Sequence, residues 1–410
     1  MSRRFFTTER LATAVPLFAI LVAPLGVAGQ NIGLGIALLA FIILTIQDKA
    51  RSLKSTLASP TAQQYLLLWG LIIIPITLAT ISRGDTTEAS RFFWGYIFAV
   101  TMGIAGMSLR SFSVNRQRLL NVSAGILGLM GLIALSQIIC GWKIAGSQIL
   151  PQVPRAQGFY SHPLTFAYAT LVLMPWSLAR PMGKPREWQS WVLAASTLVI
   201  VVASQSVTVI TLTALTMAVL AIRLLPGKKL LIFFLIGTGV LVTVVSTPNS
   251  ISAKLKAVLS GQRGDHETDY ADDRMAFWHA NWEMFKDAPV TGHGSGLDTS
   301  DRKPYYEKIG LGNIKRMYES HNMFLQYAVE GGLVAPLALF AFLAWWSVRL
   351  WKFLPTRKWH RLALVATPVV VALGGLTQNS MQDSEVRYMV LLFCGFGLWF
   401  TRDNSPDKNS

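Results

Sequence analysis

The chain has 410 residues, of which 52% are hydrophobic and only 14% charged, with a formal net charge of +16. Such low charge and a mean hydropathy of +0.43 belong to a chain solvated by lipid, which excludes an ordinary soluble domain. Two cysteines exclude a disulfide framework, and the basic balance follows membrane topology, so it implies no nucleic-acid partner.

Apolar runs between charged breaks predict twelve membrane-spanning helices in an all-α polytopic protein. They lie at 11–27, 32–46, 65–81, 92–108, 119–140, 163–179, 188–203, 207–225, 229–246, 324–348, 362–377 and 386–401. Residues 1–246 therefore hold the first nine, 247–323 form one long loop, 324–401 hold the last three, and 402–410 are a tail. Arg3 and Arg4 precede the first run as they would in a signal peptide. A second apolar segment follows within a few residues, so the first run reads as a retained helix. With both termini cytoplasmic, the inward segments carry 22 of the 37 Lys and Arg but 5 of the 21 acids. That is the bias the positive-inside rule requires. Cys140 and Cys394 fall in apolar runs and read as packing residues.

In chain order, the first polar stretch to hold chemistry is "PRAQGFYSHPLTFAYA", 154–169, which places Arg155 just ahead of the sixth span. The loop at 247–323 is long enough to be functional. Ile251, Leu255, Val258 and Leu259 share one helical face, predicting a short helix at the membrane surface. Met275, Trp278, Trp282 and Phe285 form a second stripe, expected to dock its helix on the bundle or the headgroup layer. Arg274 lies off that stripe in the first turn, where it can face an anion. "GHGSG" lacks the Gly-Lys-Ser/Thr of a phosphate loop and the spacing of a nucleophile elbow, and reads as a flexible turn. His266, His279 and His293 have no metal-ligand spacing, so no metal is assigned.

The next stretch, "ESHNMFLQYAVEGGL", puts polar groups where the chain should be entering lipid, a costly choice without a purpose. A helix from about residue 320 would align Asn322, Gln326 and Glu330 in one stripe about 12 Å long. His321 would stand at its top, about 100° away, as a base suited to neutral pH. Gly331 and Gly332 would let a neighbouring helix approach closely. Asp383, in "NSMQDSEVRY", falls at the mouth between the last two spans.

"DRMAFWHANWEMFKDAPVTGHGSG" followed by "SHNMFLQYAVEGGL" resembles the signature region of the bacterial O-antigen ligase superfamily. That group includes O-antigen polymerases and protein O-oligosaccharyltransferases. The segment 154–169 is similar to another stretch of the family. The resemblance implies an inverting, metal-independent, cofactor-free glycosyltransferase in the bacterial inner membrane, its site on the periplasmic side. The donor would be a glycan on undecaprenyl pyrophosphate and the acceptor a sugar hydroxyl of lipid A-core, both approached among membrane lipids. His321 matches the family base, Arg274 an arginine proposed to hold the pyrophosphate, Asn322 the residue after the base, and Asp383 a family acid.

The sequence departs from the family early in the helix 207–225, where an arginine is common and this chain reads Ser204-Gln205-Ser206-Val207-Thr208. Arg155 and Arg387 lie on the appropriate side to replace it, and Arg155 is preferred because it precedes an outward helix start. The motif match around His321 favours the ligase over the polymerase, and the short tail argues against the protein-glycosylating branch. A transporter is the alternative from another class. It would place ionisable groups near the bilayer midplane, where this chain offers little beyond Glu330.

Overall fold

The computed structural model describes residues 8–22, 26–109, 112–142, 155–230, 270–312, 319–353 and 358–399. Regular structure among them is α-helical. The first nine helices are α1 Thr8–Val22, α2 Gly26–Gln47, α3 Arg51–Ala58, α4 Pro60–Ser82, α5 Thr86–Ser108, α6 Arg116–Ile139, α7 Pro163–Gly183, α8 Trp188–Ser204 and α9 Val207–Leu224. The others are α10 Tyr270–Asp287, α11 Thr299–Lys308, α12 Met323–Gly331, α13 Val334–Phe353, α14 Lys358–Gly375 and α15 Ser384–Trp399.

Polar residues set the helix starts. Ser59 accepts from the Ala62 amide at 3.2 Å ahead of α4, whose first residue is a proline. Asp85 accepts from the Glu88 amide at 2.9 Å ahead of α5. His162 caps α7 through Nδ1, which accepts from the Leu164 amide at 3.1 Å.

Helices occupy the predicted apolar segments except 229–246, of which residues 231–246 lie outside the described residues, as does the surface helix expected at 251–259. Four of them, α4, α6, α9 and α13, are long and apolar enough to cross a membrane. The pair α2 and α3 makes a fifth if counted as one span bent by 101°, and apolar helices such as α8 are shorter. The protein is thus a helical membrane protein in which, by this measure, fewer than twelve helices reach spanning length among the described residues. One expectation is corrected outright. The segment 324–348 is not one helix but two, α12 and α13, parted at Gly332. Cys394 is buried, whereas Cys140 is exposed because α6 ends at it.

The packing joins α4, α5 and α13 through an aromatic layer. The Trp69 ring centroid lies 5.0 Å from Phe342 and 6.0 Å from Tyr96, and all three side chains are buried. Leu67, Ile74 and Leu78 of α4 and Leu337 and Phe340 of α13 remain exposed, as lipid-facing side chains would. Helices α5 and α15 cross where Gly103 and Gly106 face Gly395, small residues that bring two backbones together. A methyl at Gly395 would strike the Gly103 carbonyl. Gly395→Ala is therefore expected to lower the thermal midpoint of the purified protein, at about 1–3 kcal/mol. Gly125→Ala, where nothing lies within 4 Å, should not lower it.

Candidate functional site

The loop that reads as flexible in sequence is a docked strap. The Gly292 amide donates to Ala288 at 2.9 Å, that of His293 to Val329 at 2.8 Å, and that of Gly294 to Glu330 at 2.9 Å. The Leu333 amide returns a bond to Pro289 at 2.8 Å. Ser295 closes the far side, its amide donating to Thr80 Oγ1 at 2.8 Å and its carbonyl accepting from Arg83 Nη2 at 2.6 Å. Backbone lies directly on backbone here: a Cβ at Gly292 would meet the Glu330 carbonyl, and one at Gly332 the Val290 carbonyl. Both glycines also have positive φ, +69° and +63°, a region other residues enter at a cost. The break between α12 and α13 is the seat of this strap.

Helix α10 packs on the protein by a face other than the stripe of Met275, Trp278, Trp282 and Phe285, which leaves the headgroup layer as the stripe's expected contact. Ala276, Phe277, Ala280, Asn281 and Met284 are buried, whereas Met275 and Trp282 are 63% and 48% exposed. The larger apolar side chains mark the outer face because α11 and α12 approach closely enough to need small residues at the contact. Phe277 bridges the site, 6.4 Å from Tyr306 of α11 and 5.6 Å from the His321 ring.

His321 precedes α12 in a left-handed conformation, φ 47°, so the helix begins at Met323 and not near 320 as expected. Its neighbours bond to each other past it. Ser320 Oγ donates to the Asn322 carbonyl at 2.8 Å and accepts from the Asn322 amide at 3.2 Å. Asn322 is the cap of α12, its Oδ1 accepting from the Phe324 and Leu325 amides at 3.0 and 3.1 Å. Gln326 Oε1 accepts from the Ser320 amide at 3.3 Å, and Gln326 Nε2 donates to Glu330 Oε1 at 2.8 Å. Gln382 donates to the same carboxylate. The polar stripe is real, and it scaffolds the histidine loop.

The imidazole itself is oriented by Gln378. Its Nδ1 lies 3.2 Å from Gln378 Oε1, an acceptor only, so Nδ1 carries the hydrogen and Nε2 the lone pair. Burial and the Arg274 guanidinium hold this imidazole below its ordinary value, with smaller pushes from His162 and Arg302. Arg274 and His321, distant in sequence, are thus electrostatic neighbours.

The other expected residues divide. Asp383 accepts from Thr165 Oγ1 at 2.8 Å; burial lifts its carboxyl to about 6, and it lies within electrostatic reach of Glu319. Arg155 donates from Nε to the Ser204 carbonyl at 2.9 Å, at the C-terminal end of α8, and acts on His162. Through that second histidine it is linked to His321. Arg387 is committed elsewhere. It stacks on Tyr96 at 4.1 Å and donates to the Met381 carbonyl at 3.1 Å, which corrects its reading as a substitute cation. The position where the family arginine is absent is occupied by hydroxyls: Thr377 Oγ1 donates to Thr208 Oγ1 at 3.0 Å and lies 3.0 Å from the Tyr168 hydroxyl.

Sequence reading missed Arg302, Gln378 and His162. Arg302 and Tyr306 lie four residues apart on α11 and are the buried pair of a helix opened by an Asp298–Asp301 capping box. That spacing was the available signal. Gln378 lay in an amide-rich run between two apolar helices, with nothing in sequence to tie it to His321. Among the described residues, no group of three or more His, Cys, Asp and Glu side chains is placed to hold a metal ion.

No curated protein matches this chain. Residues 191–340 match the family model described as O-antigen ligase, a stretch that contains Arg274, the strap, Arg302 and His321. Over that stretch, somewhat more than a third of its length, the chain is similar to the O-antigen ligase superfamily.

Proposed function

We propose that the protein is an O-antigen ligase: it transfers a glycan from undecaprenyl pyrophosphate to a sugar hydroxyl of lipid A-core at the periplasmic rim of the bacterial inner membrane. The observation that carries this reading is His321, turned out of its helix with Nδ1–H committed to Gln378 and a guanidinium at its side. In the reaction, Nε2 takes the acceptor hydroxyl proton as that oxygen attacks the anomeric carbon. The bond from that carbon to the pyrophosphate oxygen breaks from the opposite face, which inverts the centre, and the electron pair leaves on the phosphate. Arg274 receives that charge through the fork geometry that suits phosphate. Pyrophosphate is already a good leaving group, so a base and cations suffice, without a metal or a cofactor. Asp383 and Glu319, buried carboxyls of the same mouth, would orient acceptor hydroxyls. This concentration of polar groups at one end of the bundle also favours an enzyme over a transporter.

In a strain lacking the protein, lipopolysaccharide on a gel is expected to lose its O-antigen ladder while lipid-linked O-antigen accumulates. A single repeat still attached to core would indicate the polymerase instead. Complementation with His321→Ala should reduce transfer by at least about 10²-fold, the usual contribution of a general base. A normal ladder from that variant would remove the histidine from the mechanism.

The second test is a pH profile. Because Arg274 lowers the His321 value, Arg274→Gln should raise it. The base works neutral, so the acidic limb of kcat at saturating donor should move to higher pH. A limb left in place would separate the two groups.

A further inference from the structure

We propose that Arg302, on the loop helix α11, is a donor-binding residue that grips the anionic diphosphate of the lipid-linked donor together with Arg274. This rests on the donor reading given above. It begins, however, from a feature that reading does not use. Arg302 is 5% exposed, and among the described residues its guanidinium makes no hydrogen bond and no close ion pair. Its Nε is fully enclosed without a partner. Arginine is almost never buried unless paired, and an enclosed charge without partners is strongly unfavourable.

The surroundings show what the charge faces. Glu319, Glu330 and His321 lie within its electrostatic reach. Neither carboxylate closes on it. Glu319 accepts from Asn379 Nδ2 at 3.3 Å, and Glu330 is held by Gln326 and Gln382. The guanidinium therefore stays open for an anion beside the imidazole, with its donors unspent. Tyr306, one turn further along α11 and fully buried, packs on Phe277, which in turn meets the His321 ring. Helix α11 is thus fixed against the same residues that fix the base. Arg387, the other well-buried arginine among the described residues, also has an unpartnered Nε, but its guanidinium stacks on Tyr96 and donates to the Met381 carbonyl. Arg302 also supplies what the hydroxyl-lined start of α9 does not, a cation close to His321.

An anion held here could be the donor diphosphate or a phospholipid headgroup, and the experiment separates them. The full-length protein is purified in nanodiscs of neutral lipid, and binding is measured for undecaprenyl pyrophosphate, undecaprenyl phosphate and phosphatidylglycerol. The expected result is that wild type prefers the diphosphate. Arg302→Gln should weaken diphosphate binding by about tenfold or more and raise the donor KM to match, with a smaller change in kcat. Arg302→Lys keeps the charge but loses the fork, and should fall between the two. It also decides the matter if the glutamine variant does not fold.

A merely structural role for Arg302, neutralising its acidic neighbours, predicts that Arg302→Gln/Glu319→Gln recovers activity. The inference predicts that it does not. Diphosphate affinity unchanged in both single variants, recovery in the double variant, or an equal loss of phosphatidylglycerol and diphosphate binding would each overturn it. Should wild type itself fail to prefer the diphosphate, the donor reading falls, and this inference with it. Retained wild-type binding with unaffected variants removes Arg302 alone.

Discussion

A non-glycine residue in the left-handed region costs about 1–2 kcal/mol, and His321 keeps its φ of 47° because the residues beside it are bonded to each other. Ser320 and Asn322 exchange hydrogen bonds past it, and Asn322 then opens α12. Were residue 321 helical, its side chain would lie along α12 and could not meet Gln378 across the mouth. The strain is therefore what aims the imidazole. It persists because the loop is tied downward, through Gln326 to Glu330 and Gln382. Glu330 lies next to the break that the strap grips. From the base to the strap the support is continuous, and it crosses from the loop to α4 at Thr80 and Arg83.

The electrostatic design follows from that geometry. The mouth gathers Arg274, Arg302 and His162 near a histidine that must be neutral to act, and burial, with the Arg274 guanidinium next, favours that neutral form. Glu319 and Asp383 are buried carboxyls, both lifted by desolvation. Cations and acids together at one mouth suit a reaction with an anionic leaving group and a hydroxyl nucleophile. A protein with no chemistry would gain stability by replacing such half-satisfied charges with apolar side chains.

How much of this could be read from the chain depended on the range of the interaction. Spanning helices follow from local hydropathy, so their positions were legible. Arg274 and His321 were legible only as motif residues, since nothing local says they meet. The strap was misread because glycines permit both flexibility and close backbone contact, and the partner that decides between them, Glu330, lies some forty residues away. The face by which α10 packs on the protein was not legible for a related reason. Apolar bulk outlines Met275 and Trp282, but tight helix contact selects Ala276, Ala280 and the ring of Phe277. Arg302 had a weaker signal still, because its burial depends on tertiary packing that no pattern within α11 reveals.

The missing cation at the start of α9 has a structural consequence for where an anion can sit. Thr208, Thr377 and Tyr168 satisfy one another there, and Arg155 is turned to the Ser204 carbonyl at the end of α8. That side of the mouth is lined by hydroxyls, with Arg274 in electrostatic reach of Tyr168. The guanidinium groups nearest the base are instead carried by α10 and α11, in the loop. A diphosphate drawn to them would lie against the loop helices, with its polyprenyl chain leading back to the membrane past the exposed Met275 and Trp282 of α10. On the proposed donor reading, the outward face that carries Met275 and Trp282 is an apolar margin along which a lipid tail would leave the charged site.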